Sequence, residues 1–166
     1  MKRLWAAWRM KYIGSTIRET GCIFCNALSK KDDDANLIVM RGERAFIILN
    51  KFPYTSGHLM VAPILHAATL EELDAASRAE MMELSSFSMT ALRRVYNPQA
   101  FNLGANIGEA AGAGVPGHVH LHIVPRWNGD TNFMTSIGDV RVLPETLEET
   151  YRRVKEAIVL LGAAQA

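Results

Sequence analysis

Residues 118–123 read His-Val-His-Leu-His-Ile, so three of the five histidines in the chain stand at alternate positions. Because successive side chains of a strand point to opposite faces, this spacing predicts a strand with three imidazoles on one face and apolar side chains turned to the core. Protonation of one ring hinders protonation of its neighbours. Such a row is expected where imidazoles bind a metal or attack an electrophile, and it predicts chemical activity.

The composition indicates one globular domain over residues 1–166, with an N-terminal arm (1–20) and a catalytic core (21–166). Eighteen basic and seventeen acidic side chains give a formal net charge of +1, and no lysine or arginine run occurs. A nucleic-acid or membrane partner is therefore not expected. Without a long apolar stretch or a signal-peptide pattern, the expected location is the cytoplasm.

The order of strand and helix patterns predicts an α+β domain with helices packed against an antiparallel sheet. Short apolar runs separated by turn residues predict the strands, and apolar residues at helical spacing predict the helices. The predicted strands are 37–40, 45–49, 58–62, 101–106 and the histidine row, and the predicted helices cover 84–95 and 147–161.

Several further segments accompany the histidine row and carry a family resemblance. They are residues 4–9, 49–54, 57–63, 106–112 and 125–134. With the pattern at 118–124, the chain resembles the histidine-triad (HIT) superfamily of nucleotide hydrolases and transferases, and within it the diadenosine tetraphosphate phosphorylase and hydrolase branch. The resemblance implies a five-stranded antiparallel sheet with a long helix and a C-terminal helix on one face. It also implies a homodimer or a dimer of dimers.

The middle histidine, His120, is the candidate nucleophile, because a neutral imidazole can attack phosphorus and hold a nucleotidyl group while a product leaves. The resemblance implies a covalent nucleotidyl group at this position. His122 is expected either to donate a hydrogen bond to phosphate or only to orient His120, and His118 completes the catalytic row. The alternative for a single exposed histidine is a surface residue without a role.

Other candidate substrate-binding residues lie outside the row. Gly112 and Gly114 belong to a glycine-rich loop whose backbone N–H groups suit phosphate, although such a loop is also an ordinary turn. The resemblance implies a ribose contact for Asn50 and a phosphate contact for Asn106, either of which can instead cap a turn. Trp127 is expected to stack on adenine, or to pack in a core or interface.

The glycine-rich loop differs from the corresponding loop of many family members, in which Gln-Ser or Gln-Thr lies beside the leaving group. Residues 113–115 are Ala-Gly-Val and offer no polar side chain. We therefore expect leaving-group assistance from the backbone, His122 or Asn106.

Cys22 and Cys25 form a Cys-x-x-Cys knuckle, which supplies two ligands for structural zinc. The resemblance implies that His66 and His118 complete the site, with zinc holding His118 beside the nucleophile. The alternatives are two thiols without a metal, or a redox pair.

The histidine row predicts an enzyme, and the resemblance implies that it cleaves the phosphoanhydride of dinucleoside polyphosphates, diadenosine tetraphosphate above all, through a nucleotidyl-His120 intermediate. Phosphate as acceptor would release ADP and water would release AMP, and the 125–134 stretch favours phosphorolysis. A second hypothesis is a purine-nucleotide-binding HIT protein with a phosphoramidase-like or regulatory role. A third makes the three histidines themselves a zinc centre that activates water.

Overall fold

The computed structural model describes residues 21–130 and 144–163 of the chain. The expected N-terminal arm with Trp5 and Trp8, and the end of the 125–134 stretch, lie outside these residues. In chain order the elements are α1 (Ile23–Ser29), β1 (Ile38–Arg41), β2 (Ala45–Leu49), β3 (Leu59–Pro63), α2 (Ala75–Tyr96), β4 (Ala100–Gly104), a 3-10 turn (Glu109–Ala111), β5 (Leu121–Arg126) and α3 (Leu147–Ala163).

The five strands form one antiparallel sheet in the order β1-β2-β3-β5-β4. β5 therefore lies inside the sheet, where His122 pairs with Met60 of β3 and with Gly104 of β4. The α+β class and the five-stranded antiparallel sheet predicted from the sequence are confirmed.

The two predicted helices pack on the same face of this sheet. Alternate residues of β2 and β3, such as Ile47 and Val61, join Leu92 of α2 and Val154 of α3 in the larger hydrophobic core. Burial of these apolar side chains drives the helices onto the sheet. The long helix and the C-terminal helix on one face are confirmed.

The opposite face carries a second, smaller core that the sequence reasoning did not foresee. Phe24 and Ala27 of α1 pack there with Phe46 and Ile48 of β2 and Met60 of β3. Because both faces are covered, every residue of β2 and β3 is buried, and neither strand shows the polar alternation of a solvent-facing sheet. The cysteine knuckle thus belongs to a helix on the face opposite α2 and α3.

The ends of α2 follow from local chemistry. The carboxylate of Asp74 accepts a hydrogen bond from the Ser77 N–H at 2.6 Å, which satisfies one free donor of the first turn. Asn97 adopts a left-handed conformation at φ 46, and Pro98 follows it. The predicted helical segment 84–95 lies within these bounds.

Within residues 21–130 and 144–163, no helix combines the length and the hydrophobicity needed to cross a bilayer. β4 is shorter than predicted and ends at Gly104, so Asn106 lies in the loop that follows it.

We expect Ile47→Ala to lower the free energy of unfolding by about 2–5 kcal/mol, because the side chain is 0% exposed in the larger core and its loss leaves a cavity. Urea unfolding measures the change. The control Val159→Ala removes an apolar side chain that is 59% exposed, and it should cost no more than about 0.5 kcal/mol. A similar loss in the free energy of unfolding for the two variants would contradict the assignment of Ile47 to the larger core.

Candidate active site around the histidine row

The histidine row shows the predicted alternation of faces. Val119, Leu121 and Ile123 belong to the larger core beneath the helices. The rings of His118 and His120 lie on the other face, against Phe24 of α1. The regular strand begins only at Leu121, although the Val119 N–H still donates to the Ala67 carbonyl at 2.8 Å.

His120 is held in one tautomer by the main chain. Its Nδ1 lies 2.9 Å from the carbonyl oxygen of His118. A carbonyl oxygen can only accept, so the Nδ1–H donates and the Nε2 of the neutral ring carries a lone pair. Burial lowers the pKa of His120, against the opposing effect of that hydrogen bond, and the ring is 3% exposed. A neutral imidazole with a free lone pair has the properties of a nucleophile.

His122 lies beside His120, with ring centroids 4.8 Å apart. Its Nδ1 is 2.9 Å from Nε2 of His58, a buried residue immediately before β3. Burial first, and then the nearby His120, lower the pKa of His122 to about 4. His122 is therefore neutral at pH 7, so the two adjacent rings do not repel each other as cations.

Phe24 covers the buried side of the row. Its ring centroid is 5.1 Å from that of His118 and 5.0 Å from that of His120, and it is 1% exposed. Sequence reasoning missed this contact. The sequence did contain one signal, because Phe24 lies between the two cysteines of the knuckle. If the knuckle contacts His118, Phe24 must lie close to the histidine row.

Cys22, Cys25, His66 and His118 form one cluster. Their candidate ligand atoms all lie within 4.8 Å of one another. Cys22 Sγ is 3.3 Å from His118 Nδ1, Cys25 Sγ is 3.3 Å from His66 Nδ1, and the two Nδ1 atoms are 3.3 Å apart. Tetrahedral zinc with two sulfur and two nitrogen ligands requires separations of roughly 3.3 to 3.8 Å. The four residues could therefore hold a metal ion.

The other nitrogen of His118 supports that arrangement. Its Nε2 is 2.9 Å from the carbonyl oxygen of Pro63, so Nε2 carries the hydrogen and Nδ1 presents a lone pair to the cluster. Burial, opposed by this hydrogen bond, lowers the pKa of His118 and keeps the ring neutral. Metal ligation requires this neutral form.

The structure disagrees with the hypothesis that the three histidines form a zinc centre. His118 faces the cysteines, whereas Nδ1 of His120 is engaged by a carbonyl and Nδ1 of His122 by His58. Among the residues that the structure describes, the four-residue cluster is the grouping that fits a metal, and it excludes His120 and His122.

Asn50 lies in the loop before β3, close to His58. Its Oδ1 accepts a hydrogen bond from the Phe52 N–H at 2.9 Å, and its Nδ2 lies 3.3 Å from His58 Nδ1. The turn-capping alternative for Asn50 is thus realised in the structure, and the ribose contact stays a prediction.

The loop from Gly104 to the row carries the other candidate phosphate ligands. β4 ends beside His122, which brings this loop to the row, and Asn106 is half-buried within it. The Gly112 N–H donates to the Glu109 carbonyl at 2.9 Å, in a turn where Gly112 has φ +83, and Gly114 is exposed. Their phosphate contacts remain predictions.

Trp127 is not brought to the row. It follows the last residue of β5 and lies about 16 Å along the chain from His122. Its ring meets Tyr96 of α2 edge-on, at 6.4 Å between centroids. The adenine-stacking role of Trp127 stays a prediction.

A profile of the HIT domain matches residues 31–129. The chain belongs to the HIT family. The described part of this match contains the five strands, the histidine row and two members of the candidate metal cluster, His66 and His118.

Individual members of the family extend the likeness over most of the chain. A protein of Mycobacterium tuberculosis named AP-4-A phosphorylase is 36% identical over 159 residues, which cover 92% of this chain and 82% of that protein. An uncharacterized HIT-like protein of Saccharolobus solfataricus is 31% identical over 83% of this chain and 95% of its own length. A crystal structure of a Zn-bound histidine triad family protein from Mycobacterium smegmatis superposes with a TM-score of 0.69 at 29% identity, covering 87% of this chain and 97% of that one.

We expect the stability of the protein to fall as the pH falls from about 6.5 to about 4, in part through His122. Its folded-state pKa of about 4 lies below the ordinary value of 6.5, so the unfolded chain binds this proton first. Histidine NMR titration should show His122 neutral at pH 5. Urea unfolding measures the free energy of unfolding at pH 7 and at pH 5. Between these pH values, the free energy of unfolding should fall by about 1 kcal/mol more in the parent than in His122→Asn. Protonation of His122 near pH 6.5 would contradict the burial argument.

Proposed function

We propose that this protein cleaves dinucleoside polyphosphates, with diadenosine tetraphosphate as substrate and phosphate as acceptor, through a covalent nucleotidyl-His120 intermediate. The observation that carries the proposal is the 2.9 Å contact between His120 Nδ1 and the His118 carbonyl, because it leaves Nε2 with a lone pair. The relative named AP-4-A phosphorylase supports the choice of substrate and acceptor.

In the first step, Nε2 of His120 attacks the α-phosphorus, which is the phosphorus atom attached to one of the two adenosines. An N–P bond forms, the bond from phosphorus to the bridging oxygen breaks, and its electron pair leaves with ATP. His122 donates a hydrogen bond to a phosphate oxygen as negative charge moves to the leaving group. The low pKa of His120, a result of burial, keeps the attacking ring unprotonated at pH 7.

In the second step, an oxygen of inorganic phosphate attacks the same phosphorus. A P–O bond forms and the N–P bond breaks, which returns the electron pair to His120 and releases ADP. Water in place of phosphate would release AMP. Two displacements through an imidazole replace one difficult displacement between two anions.

The remaining site residues are assigned to substrate binding. Asn106, Gly112 and Gly114 contact phosphate from the loop that begins beside His122, Asn50 contacts ribose, and Trp127 stacks on adenine. The loop lacks polar side chains at residues 113–115, so its backbone N–H groups carry the phosphate contacts on that side.

We also propose that Cys22, Cys25, His66 and His118 bind structural zinc. The separations of their ligand atoms and the donor set of two thiols and two neutral imidazoles support this assignment. When bound, zinc supplies a cross-link between α1, the loop after β3 and the start of the row. His118 then remains a ligand and does not react.

Two further assignments belong to this proposal. A homodimer or dimer of dimers is supported by the position of β4 at the sheet edge, where Leu103 is 41% exposed. Action in the cytoplasm is supported by two cysteines placed as zinc ligands, an arrangement typical of a reducing compartment.

We expect His120→Ala to lower the turnover of diadenosine tetraphosphate by more than about 10³-fold, because the covalent route is lost. Chromatography of the products should give ATP and ADP when phosphate is present. Rapid quenching at alkaline pH, followed by mass spectrometry, should find an acid-labile AMP adduct on His120 in the parent. The exposed-site variant Val159→Ala should behave as the parent.

Several outcomes of that experiment contradict the proposal. His120→Ala turnover within about tenfold of the parent would exclude the covalent mechanism. AMP in place of ADP in the presence of phosphate would assign hydrolysis. Tight AMP binding with no turnover of dinucleotides would favour the purine-nucleotide-binding alternative.

We expect one zinc ion per chain, measured by elemental analysis of the purified protein. Cys22→Ser, Cys25→Ser and His66→Ala should each lower zinc content and Tm, because each removes one of four ligands and metal binding is coupled to folding. Leu65→Ala, at an exposed neighbour of His66, should retain the metal. Equal zinc content in Cys25→Ser and the parent would contradict the site.

A further inference from the structure

We propose that a phosphate group binds in a cavity between the loop 51–57 and the first turn of α3, on the face of the sheet opposite the histidine rings. Among the residues that the structure describes, none that lines this cavity belongs to the histidine row or to the candidate metal cluster. The site is therefore separate from the one that cleaves substrate in the proposed function, and its test does not depend on that function.

The cavity has the size of a small anion. Its walls include Leu49 at the end of β2, Gly57 of the loop, and Leu147 and Thr150 of α3. It encloses about 120 Å³, the volume of about four water molecules at roughly 30 Å³ each. This space admits an inorganic phosphate or a single phosphate group of a larger molecule, but it is too small for a nucleoside.

Ser56 supplies a polar group that has no partner in the protein. It lines the cavity, it is 8% exposed, and among the described residues its Oγ has no hydrogen-bond partner. A buried hydroxyl in this state destabilises the fold unless a bound molecule completes its hydrogen bonding. Its place is fixed by Gly57, which has φ +78 and where a Cβ would lie 2.9 Å from side-chain atoms of both Leu92 and Tyr96.

Positive charge at the cavity favours an anion. Lys51 lines the cavity from an exposed position and brings an ammonium group. Leu147, the first residue of α3, lies on the cavity wall. The first N–H groups of a helix lack acceptors within the helix and carry partial positive charge. An ammonium group, a hydroxyl and the start of a helix together suit the oxygens of phosphate.

Glu145 also lines the cavity, but its charge is balanced within the protein. Arg153 forms an ion pair with it at 2.8 Å, Thr150 Oγ1 donates to it at 3.0 Å, and the Tyr96 hydroxyl donates to the same carboxylate. Glu148, in the first turn of α3, is exposed to solvent, which screens its charge. Neither carboxylate therefore excludes an anion from the cavity.

An anion in this cavity would connect the loop to α3. Ser56 and Lys51 belong to the loop, whereas Leu147 belongs to the helix, so a phosphate bound by all three bridges two segments that are far apart in the chain. The residues on either side of the loop, Asn50 and His58, lie on the side of the histidine row. The bound anion would thus stabilise the loop from behind the candidate active site.

Titration of the full metal-loaded chain with inorganic phosphate, followed by ¹H–¹⁵N NMR of the backbone amides, tests the site. We expect saturable shifts of the amides of Gly57 and Leu147. Ser56→Ala and Lys51→Met should each raise the Kd obtained from these amides by at least about fivefold, because each removes a donor to the anion.

Matched controls and a stability measurement accompany the titration. Ser86→Ala and Lys31→Met change an exposed serine and an exposed lysine elsewhere, and they should keep the Kd of the parent. In phosphate-free buffer, Ser56→Ala should have the Tm of the parent or a higher one, because the variant removes a buried hydroxyl that has no partner.

A second titration with AMP distinguishes two sources of the phosphate group. Shifts of the Gly57 and Leu147 amides with inorganic phosphate alone would assign the cavity to the free anion. The same shifts with AMP, lost in Ser56→Ala, would assign it to the phosphate of a nucleotide whose nucleoside lies outside the cavity.

The absence of saturable shifts at these amides with either ligand would overturn the proposal, as would equal affinity for acetate. A lower Tm of Ser56→Ala in phosphate-free buffer would also overturn it, because the hydroxyl would then be partnered within the protein. Phosphate binding in the cavity of a parent that does not cleave dinucleotides would instead reject the proposed function and leave this site in place.

Discussion

The candidate active site depends on the alternation of faces between residues 118 and 123. Val119, Leu121 and Ile123 are buried beneath the two long helices, so the intervening imidazoles must lie on the opposite face. β5 is paired on both sides, and its register with β3 and β4 is fixed by these buried side chains. A shift of one residue would exchange the histidines with the core residues, at the cost of burying three polar rings under the helices. The stability of the core and the orientation of the candidate nucleophile, His120, therefore have the same origin.

Residue 118 joins the cluster of Cys22, Cys25 and His66 to the candidate nucleophile, His120, through two different groups. Its ring lies between the Pro63 carbonyl and the cysteines of α1, while its own carbonyl accepts the hydrogen of His120. Any rotation of the peptide at this position would disturb both contacts. α1 adds a second restraint, because Phe24 packs against the rings of His118 and His120. The short helix α1 thus supports the candidate active site from the side opposite the larger core.

The sequence predicted the part of the site that is local and periodic. Alternation of histidine with apolar residues was sufficient for the faces of residues 118–123, and the regular spacing of apolar residues predicted α2 and α3. It did not predict that Phe24 would cover His120 or that His58 would contact His122, because these contacts join segments far apart in the chain. Strand ends also differed, since β4 stops before Asn106 and β5 starts at Leu121. The roles expected for Asn50, Asn106 and Trp127 depend on a substrate and stay predictions.

Three adjacent histidines are tolerated because each ring is neutral and each has a fixed hydrogen-bond partner. His118 donates to Pro63, His120 donates to the His118 carbonyl, and His122 pairs with His58. Burial favours the neutral form in every case and lowers the three pKa values. In the proposed reaction, a polyphosphate would bring negative charge to these rings and so raise their affinity for protons. The rings are therefore neutral before any anion binds, and positive charge on them becomes favourable only beside a negative charge that balances it.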